Sequence, residues 1–241
     1  MIADMPRVTL LTPYLLVAAV HLVAALHGPD ALADLTQVLL MPALAAYLLL
    51  VAPRQHRLVR LAGAALFFSW LGDTVPRFLS EDAGFPALIG CFLLGQGCYI
   101  AGFWPYRHRS VLRTRLVTPY AVCLVVLWAL LLPHAGMLAP AVVVYGASLA
   151  GMAVLATGID RLAWAGGAVF VVSDGLIALD AFEVWTQPGH DFWVMLTYIL
   201  AQLLIVLGVT ARAASVGSSH DEPRPHGTDL RADQPRSRLA G

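Results

Sequence analysis

The chain has 241 residues, 59% of them hydrophobic and only 12% charged, with a mean hydropathy of +0.74. A soluble domain carries about 25% charged residues, so an ordinary globular enzyme is excluded, and so is disorder for all but the C-terminal end. Fifteen arginines balance fifteen acids and lysine is absent, which excludes a basic nucleic-acid surface, a lysine Schiff base and a lysine nucleophile.

A bilayer core takes about 20 apolar residues per helix. Eight stretches meet or approach that, at about 8–26, 32–52, 58–78, 85–104, 116–132, 137–156, 162–182 and 191–212. The breaks between them carry turn chemistry, as in Gly28-Pro29-Asp30, Pro53-Arg54, Pro133-His134 and Pro188-Gly189. The first stretch is too long for a signal-peptide core and is preceded by a single arginine, so it reads as an uncleaved helix. The expected fold is therefore an all-α integral membrane protein, a single bundle of eight transmembrane helices over residues 1–212. Residues 213–241 are rich in Ser, Pro, Asp, Arg and His and read as a disordered cytoplasmic tail.

Orientation follows from the arginines. With the N-terminus in the cytoplasm, Arg7, Arg54, Arg57, Arg60, Arg107, Arg109, Arg113, Arg115, Arg161 and Arg212 all fall inside and Arg77 alone falls outside. Eight spans then put both termini in the cytoplasm. The outer loops collect Asp30, Glu81, Asp82, Glu183 and Asp191 instead. Arginine-only basic usage with abundant Ala, Val and Pro points to a GC-rich bacterial genome, and so to the bacterial inner membrane. Oligomeric state is not legible.

An ionisable residue at mid-helix in hydrocarbon costs about 2.5–3.5 kcal/mol on the insertion scale, so such residues mark function. Two stand out: Asp73, late in the third stretch, and Asp174 in the seventh. At about 1.5 Å per residue, Asp73 lies about 8 Å below the outer end of its helix and Asp174 about 12 Å. Gln37, Tyr198, Gln96 and Gln202 reach depths of about 8–16 Å on three other helices. Tyr198 and Gln202 share a face, as do Gln96 and Tyr99, and Ser69 and Asp73. This agreement in depth predicts one polar pocket opening outward. The bland alternatives are a structural Asp73–Arg77 ion pair at i, i+4 and glutamines acting only as interhelical glue. Gly90, Gly95, Gly97 and Gly102 mark the fourth helix as one that neighbours approach closely.

Other motifs carry less. Gly146-Ala147-Ser148-Leu149-Ala150 nearly matches a nucleophile elbow but lies in a continuous apolar run rather than a strand–turn–helix. His21, His27, Asp30 and Asp34 match no standard metal spacing and read as surface residues. Cys91, Cys98 and Cys123 lie in apolar runs without CxxC spacing and read as buried small hydrophobes. No phosphate-binding, dinucleotide-binding or zinc-protease motif is present, so neither a cofactor nor a metal is expected.

Four ordered motifs together resemble the YhhN-like family of membrane lysoplasmalogenases, over roughly residues 8–212. They are Ser69-Trp70-Leu71-Gly72-Asp73; Gly90-Cys91-Phe92-Leu93-Leu94 with Cys98-Tyr99-Ile100; Phe170-Val171-Val172-Ser173-Asp174; and Tyr198 through Ile205. Two positions depart from the family pattern. Gln37-Val38 stands where Lys-Pro is usual, and Gln96 stands where a His is usual.

The resemblance implies cleavage of the vinyl ether of lysoplasmalogens, giving a fatty aldehyde and glycerophosphocholine or glycerophosphoethanolamine. A vinyl ether resists base and yields to acid, so its site needs a proton donor, an anion to balance an oxocarbenium ion, and positioned water. Asp73 and Asp174 are the expected acid/anion pair. Gln37, Ser69, Arg77, Gln96, Tyr99, Ser173, Tyr198 and Gln202 are the expected substrate-binding residues, with Arg77 placed to meet the lipid phosphate. The expected partners are a lysophospholipid and the bilayer, with no nucleic acid. Two other readings fit the same residues: a non-catalytic relative that binds an amphiphile, favoured by Gln37 and Gln96, and a small proton-coupled transporter using the Asp pair as a relay.

Overall fold

A computed structural model describes residues 6–218, and among them there are helices and turns but no strand. The helices are α1 (Arg7–His27), α2 (Asp30–Val51), α3 (Arg57–Thr74), α4 (Glu81–Phe103), α5 (Thr118–Leu131), α6 (Ala139–Ala156), α7 (Arg161–Ala181) and α8 (His190–Ser218). They match the eight apolar stretches in order. Among the described residues, seven helical runs are long and apolar enough to cross a membrane, and the chain is a multi-pass helical membrane protein. The remaining helix, α5, has 14 residues. At 1.5 Å per residue that is about 21 Å, short of a hydrocarbon core of about 30 Å. At the other extreme α8 runs on to Ser218, past the boundary expected at 212. The rest of the expected tail lies outside the described residues.

Local chemistry sets the helix ends. The His56 ring accepts from Leu58 N at 3.2 Å and opens α3. The Asp160 carboxylate accepts from Leu162 N at 2.9 Å and opens α7. Each satisfies an amide that has no partner within the first turn. Inside α2, Pro42 has no N–H to give the carbonyl four residues back, that of Val38. The Trp70 indole of α3 donates to that carbonyl at 3.1 Å. A sequence-level defect in α2 thereby becomes a fixed contact with α3, one turn from Asp73.

α8 packs on α7, α1, α2 and α3, while α5 leans chiefly on α6 and touches only the edge of α7 among the described residues. α7 and α8 approach each other closely. A Cβ on Gly208 would lie 2.5 Å from Ala163 N, and one on Gly166 would lie 2.7 Å from Ile205 N. The glycines of α4 are less uniform than their number suggests. Gly95 and Gly102 face α3, but nothing lies within 4 Å of a Cβ on Gly90 or Gly97. The cysteines also depart from expectation: Cys91 and Cys98 are half-buried and Cys123 is exposed. A helix in lipid needs no apolar burial, so an apolar run does not by itself imply a buried residue. Leu16 and Val23 on α1 and Val125 on α5 are exposed in the same way.

The two ends of the bundle differ in chemistry. At one end Arg212 donates to the Ile159 carbonyl and lies over the Tyr106 ring, and Thr157 accepts from Val111 N. These ties gather the ends of α4, α6 and α8 among the arginines. At the other end Arg77 pairs with Asp34, near the starts of α2 and α8.

Candidate active site

The polar residues read at matching depths fall into two hydrogen-bonded groups rather than one pocket. The first is built on Asp73 of α3. Its Oδ2 accepts from Tyr198 OH of α8 at 2.8 Å, and the Gln37 side chain of α2 reaches the same carboxyl. One turn deeper, Gln202 Nε2 donates to Ser69 Oγ at 3.1 Å and Gln202 Oε1 accepts from Tyr99 OH at 2.7 Å. The shared faces read from i, i+4 spacing therefore work as pairs: Ser69 with Asp73 meets Gln202 with Tyr198.

Arg77 is not the ion-pair partner of the Asp73 carboxyl. Its Nε donates to the Asp73 main-chain carbonyl at 2.9 Å, its Nη1 to Asp34, and its Nη2 to Gln37 Oε1 at 2.6 Å. The i, i+4 spacing brings Arg77 back over its own helix, and Asp34 of α2 takes the charge. The Gln37 amide thus stands between the guanidinium and the Asp73 carboxyl. A cation sits one hydrogen bond from the position where the resemblance leads one to expect a lysine.

The second group is built on Asp174 of α7. Tyr145 OH of α6 donates to its Oδ2 at 2.5 Å, and Gln96 Nε2 of α4 donates to the same oxygen at 3.3 Å. Ser148 of α6 donates to Gln96 Oε1. Asp73 and Asp174 are both buried. Between the groups lie three rings, Phe92, Phe170 and Tyr198, in edge contacts with centroids 5.7–6.5 Å apart. Phe92 takes its place because Gly72 leaves room. A Cβ there would be 2.7 Å from the ring.

Each group borders a cavity. One, of about 290 Å³, lies among α4, α5, α6 and α7. Its walls are apolar, from Leu88, Leu127, Val142 and their neighbours, and Asp174 is the one charged side chain on them. Trp128 Nε1 of α5 is buried there without a hydrogen-bond partner among the described residues. The other cavity, of about 470 Å³, lies at the acid-rich end among α1, α2 and α8 and reaches down to Gln37. Contact between the two is continuous. Gln37 touches Asp73, Tyr198 bonds Asp73 and packs on Phe92, and Phe92 lines the apolar cavity.

Of the residues expected at the site, Asp73, Ser69, Gln37, Tyr99, Tyr198 and Gln202 come together in the first group and Asp174 and Gln96 in the second. Ser173 lines neither cavity; its hydroxyl donates to Val194 O at 3.2 Å and ties α7 to α8. Tyr145 went unseen in the sequence, and Ser148 was read there only as part of a failed nucleophile elbow, although their spacing of three on an apolar helix is a weak signal. His21 is a correction of another kind. It reads as a surface residue from the sequence, yet it is 2% exposed, because its turn of α1 faces Thr36 of α2.

The model of the YhhN family matches residues 32–209, which takes in both groups. No curated protein and no solved structure matches the chain.

Proposed function

The chain belongs to the YhhN family, and from that premise we propose that it is a membrane hydrolase that cleaves the vinyl ether of lysoplasmalogens, using Asp73 and Asp174. The observation that carries this reading is Asp174. It is a carboxyl group on the wall of an otherwise apolar cavity, with a second buried carboxyl a few side chains away. An alkenyl chain suits that cavity, and its reacting carbons then lie at a carboxyl group able to deliver a proton.

The order of parts supports an assignment of roles. In the lipid the sequence is headgroup, glycerol, ether oxygen, α-carbon, β-carbon, chain. In the protein it is the polar cavity, Gln37, Asp73, Asp174, the apolar cavity. Asp174, on the chain side, protonates the β-carbon. The α-carbon becomes an oxocarbenium centre, and Asp73, on the glycerol side, balances its charge. Water adds to the α-carbon and loses its proton to a carboxylate. The hemiacetal then breaks its bond to the glycerol oxygen, which takes up a proton, and a fatty aldehyde and a glycerophospho-alcohol leave. Tyr145 and Tyr198 each hold one carboxyl in place, and Gln96, Gln37 and Gln202 orient water or glycerol oxygens.

The proposal includes eight crossings with both termini in the cytoplasm. The chain continues from the arginine-rich end of α4 into α5, and α6 returns to that end at Thr157. α5 therefore traverses the bundle despite its length.

The test is purified protein in mild detergent with an alkenyl lysophospholipid, beside an acyl lysophospholipid of equal chain length. Mass spectrometry follows the aldehyde and the glycerophospho-alcohol. Aldehyde is expected from the alkenyl lipid alone, with no turnover by Asp73→Asn or Asp174→Asn variants that keep the wild-type melting curve. Full activity in either variant removes that residue from the mechanism.

A further inference from the structure

The polar cavity has a chemistry of its own. Its lining residues include Asp30, Asp34 and Asp191, Gln37, and His21. Arg77 takes up Asp34, leaving Asp30 and Asp191 in excess. Acidic side chains at a membrane surface are common and do not by themselves make a site. His21 adds a separate demand.

The His21 ring is 2% exposed. Its Nδ1 lies 2.9 Å from Thr36 Oγ1 and 3.1 Å from Ala33 O. The Ala33 carbonyl can only accept, and Thr36 directs its own proton to Leu32 O at 2.7 Å. The proton on the ring is thereby assigned to Nδ1. A buried imidazolium would need a counter-ion in contact, and among the described residues no carboxylate lies within ion-pair distance of this ring. Nε2 is then a lone pair, and it is buried with no partner. A buried acceptor of this kind calls for a donor. The donor that suits an acceptor among carboxylates is a cation bearing N–H groups.

We propose that this cavity binds a primary ammonium carried close to a phosphate, the ethanolamine headgroup of a lysolipid, and discriminates against the choline headgroup. The ammonium donates to His21 Nε2 while Asp30 and Asp191 balance its charge, and the phosphate lies toward the unused N–H groups of Arg77. A trimethylammonium group has no N–H and leaves Nε2 unsatisfied, so the site rejects it by withholding a bond rather than by size. That the headgroup belongs to a lipid rests on the reading under Proposed function; the preference for a primary amine does not.

The test avoids turnover. The full chain, in detergent, is titrated with saturated 1-O-alkyl lysophosphatidylethanolamine and with the matching choline lipid, neither of which has a vinyl ether to cleave. The ethanolamine lipid is expected to bind about tenfold tighter or more. His21→Phe should bring the ratio close to one. Asp30 and Asp191 are exposed, so Asp30→Asn/Asp191→Asn offers a second variant with little risk to folding; it should weaken the ethanolamine lipid. Equal binding of the two lipids, or a preference unchanged in both variants, overturns the proposal. Displacement by O-phosphoethanolamine at the concentration of the lipid overturns the lipid source and assigns the site to a soluble amine. Headgroup selectivity without aldehyde release in the hydrolase assay sinks the reaction and keeps this site. Aldehyde release with equal headgroup binding does the reverse.

Discussion

A hydroxyl 2.5 Å from a buried carboxyl oxygen fixes both where that oxygen points and what it can do next. Tyr145 holds Asp174 in this way, and Asp174 lines the apolar cavity. A hydrogen bond to a charged group contributes about 1.5–3 kcal/mol. If the bond matters chiefly in the transition state, Tyr145→Phe lowers kcat about tenfold to a hundredfold and leaves KM nearly unchanged. Tyr120→Phe is the control. Tyr120 lines the same cavity, but its hydroxyl accepts from Trp164 Nε1 at 2.7 Å and touches no carboxyl. Equal losses in the two variants would show that the cavity, not the bond, was disturbed. Asp73 and Asp174 are legible in the sequence because a charge in hydrocarbon is costly enough to need a reason. Tyr145 and Ser148 are not, because a lone Tyr or Ser in an apolar helix satisfies ordinary packing equally well. His21 is hidden differently, since its burial depends on which turn of α2 stands opposite.

Between elements, the contacts that decide alignment are polar or glycine-mediated, and they separate cleanly from the apolar background. The Trp70 bond to Val38 O compensates for Pro42. Trp70→Phe leaves a half-buried carbonyl without its donor, at a cost of about 1–3 kcal/mol, and lowers the melting temperature in detergent. Pro42→Ala restores an N–H to the same carbonyl, so the loss from Trp70→Phe should shrink in the Pro42→Ala background. An additive double variant would show that the indole is packing and not donating. The glycines give a second contrast. Gly208→Ala forces a Cβ to within 2.5 Å of Ala163 N, where only backbone could yield, so α7 and α8 must part and stability falls. Gly97→Ala meets nothing within 4 Å and should be neutral or raise stability by up to about 1 kcal/mol through helix propensity. Equal melting curves would rule out α7–α8 contact at this spacing. Hydropathy locates every helix in order, because transfer out of water depends on composition alone, and misses chiefly the end of α8. It does not say which faces meet, since Leu against lipid and Leu against protein differ little in transfer free energy. The four glycines of α4 therefore read alike in sequence and split in the structure.

At the scale of the whole molecule, the asymmetry between the ends ties topology to function. The arginines of the loops gather at one end with Arg212 and Tyr106, and the polar cavity opens at the other among Asp30, Asp34 and Asp191. This separation is legible from sequence because charge excess in short loops follows membrane orientation directly. What the sequence does not reveal is that polar groups at matching depths belong to two networks, since depth along a helix says nothing of rotation about the bundle axis. If the arginine-rich end is cytoplasmic, the headgroup cavity faces the opposite side, and substrate enters from the outer leaflet. A background with Cys91, Cys98 and Cys123 replaced by Ala allows single cysteines to report this. Asp82→Cys, in the first turn of α4, should react with a membrane-impermeant thiol reagent in intact cells. Gln55→Cys, between α2 and α3, should react only after the membrane is opened. The opposite pattern would invert the protein and turn the polar cavity, with Asp73 beneath it, toward the cytoplasm. Labelling of both positions from one side would mean that α3 does not cross. The carboxyl of Asp73 would then lie on the wrong side of the hydrocarbon to share a substrate with Asp174.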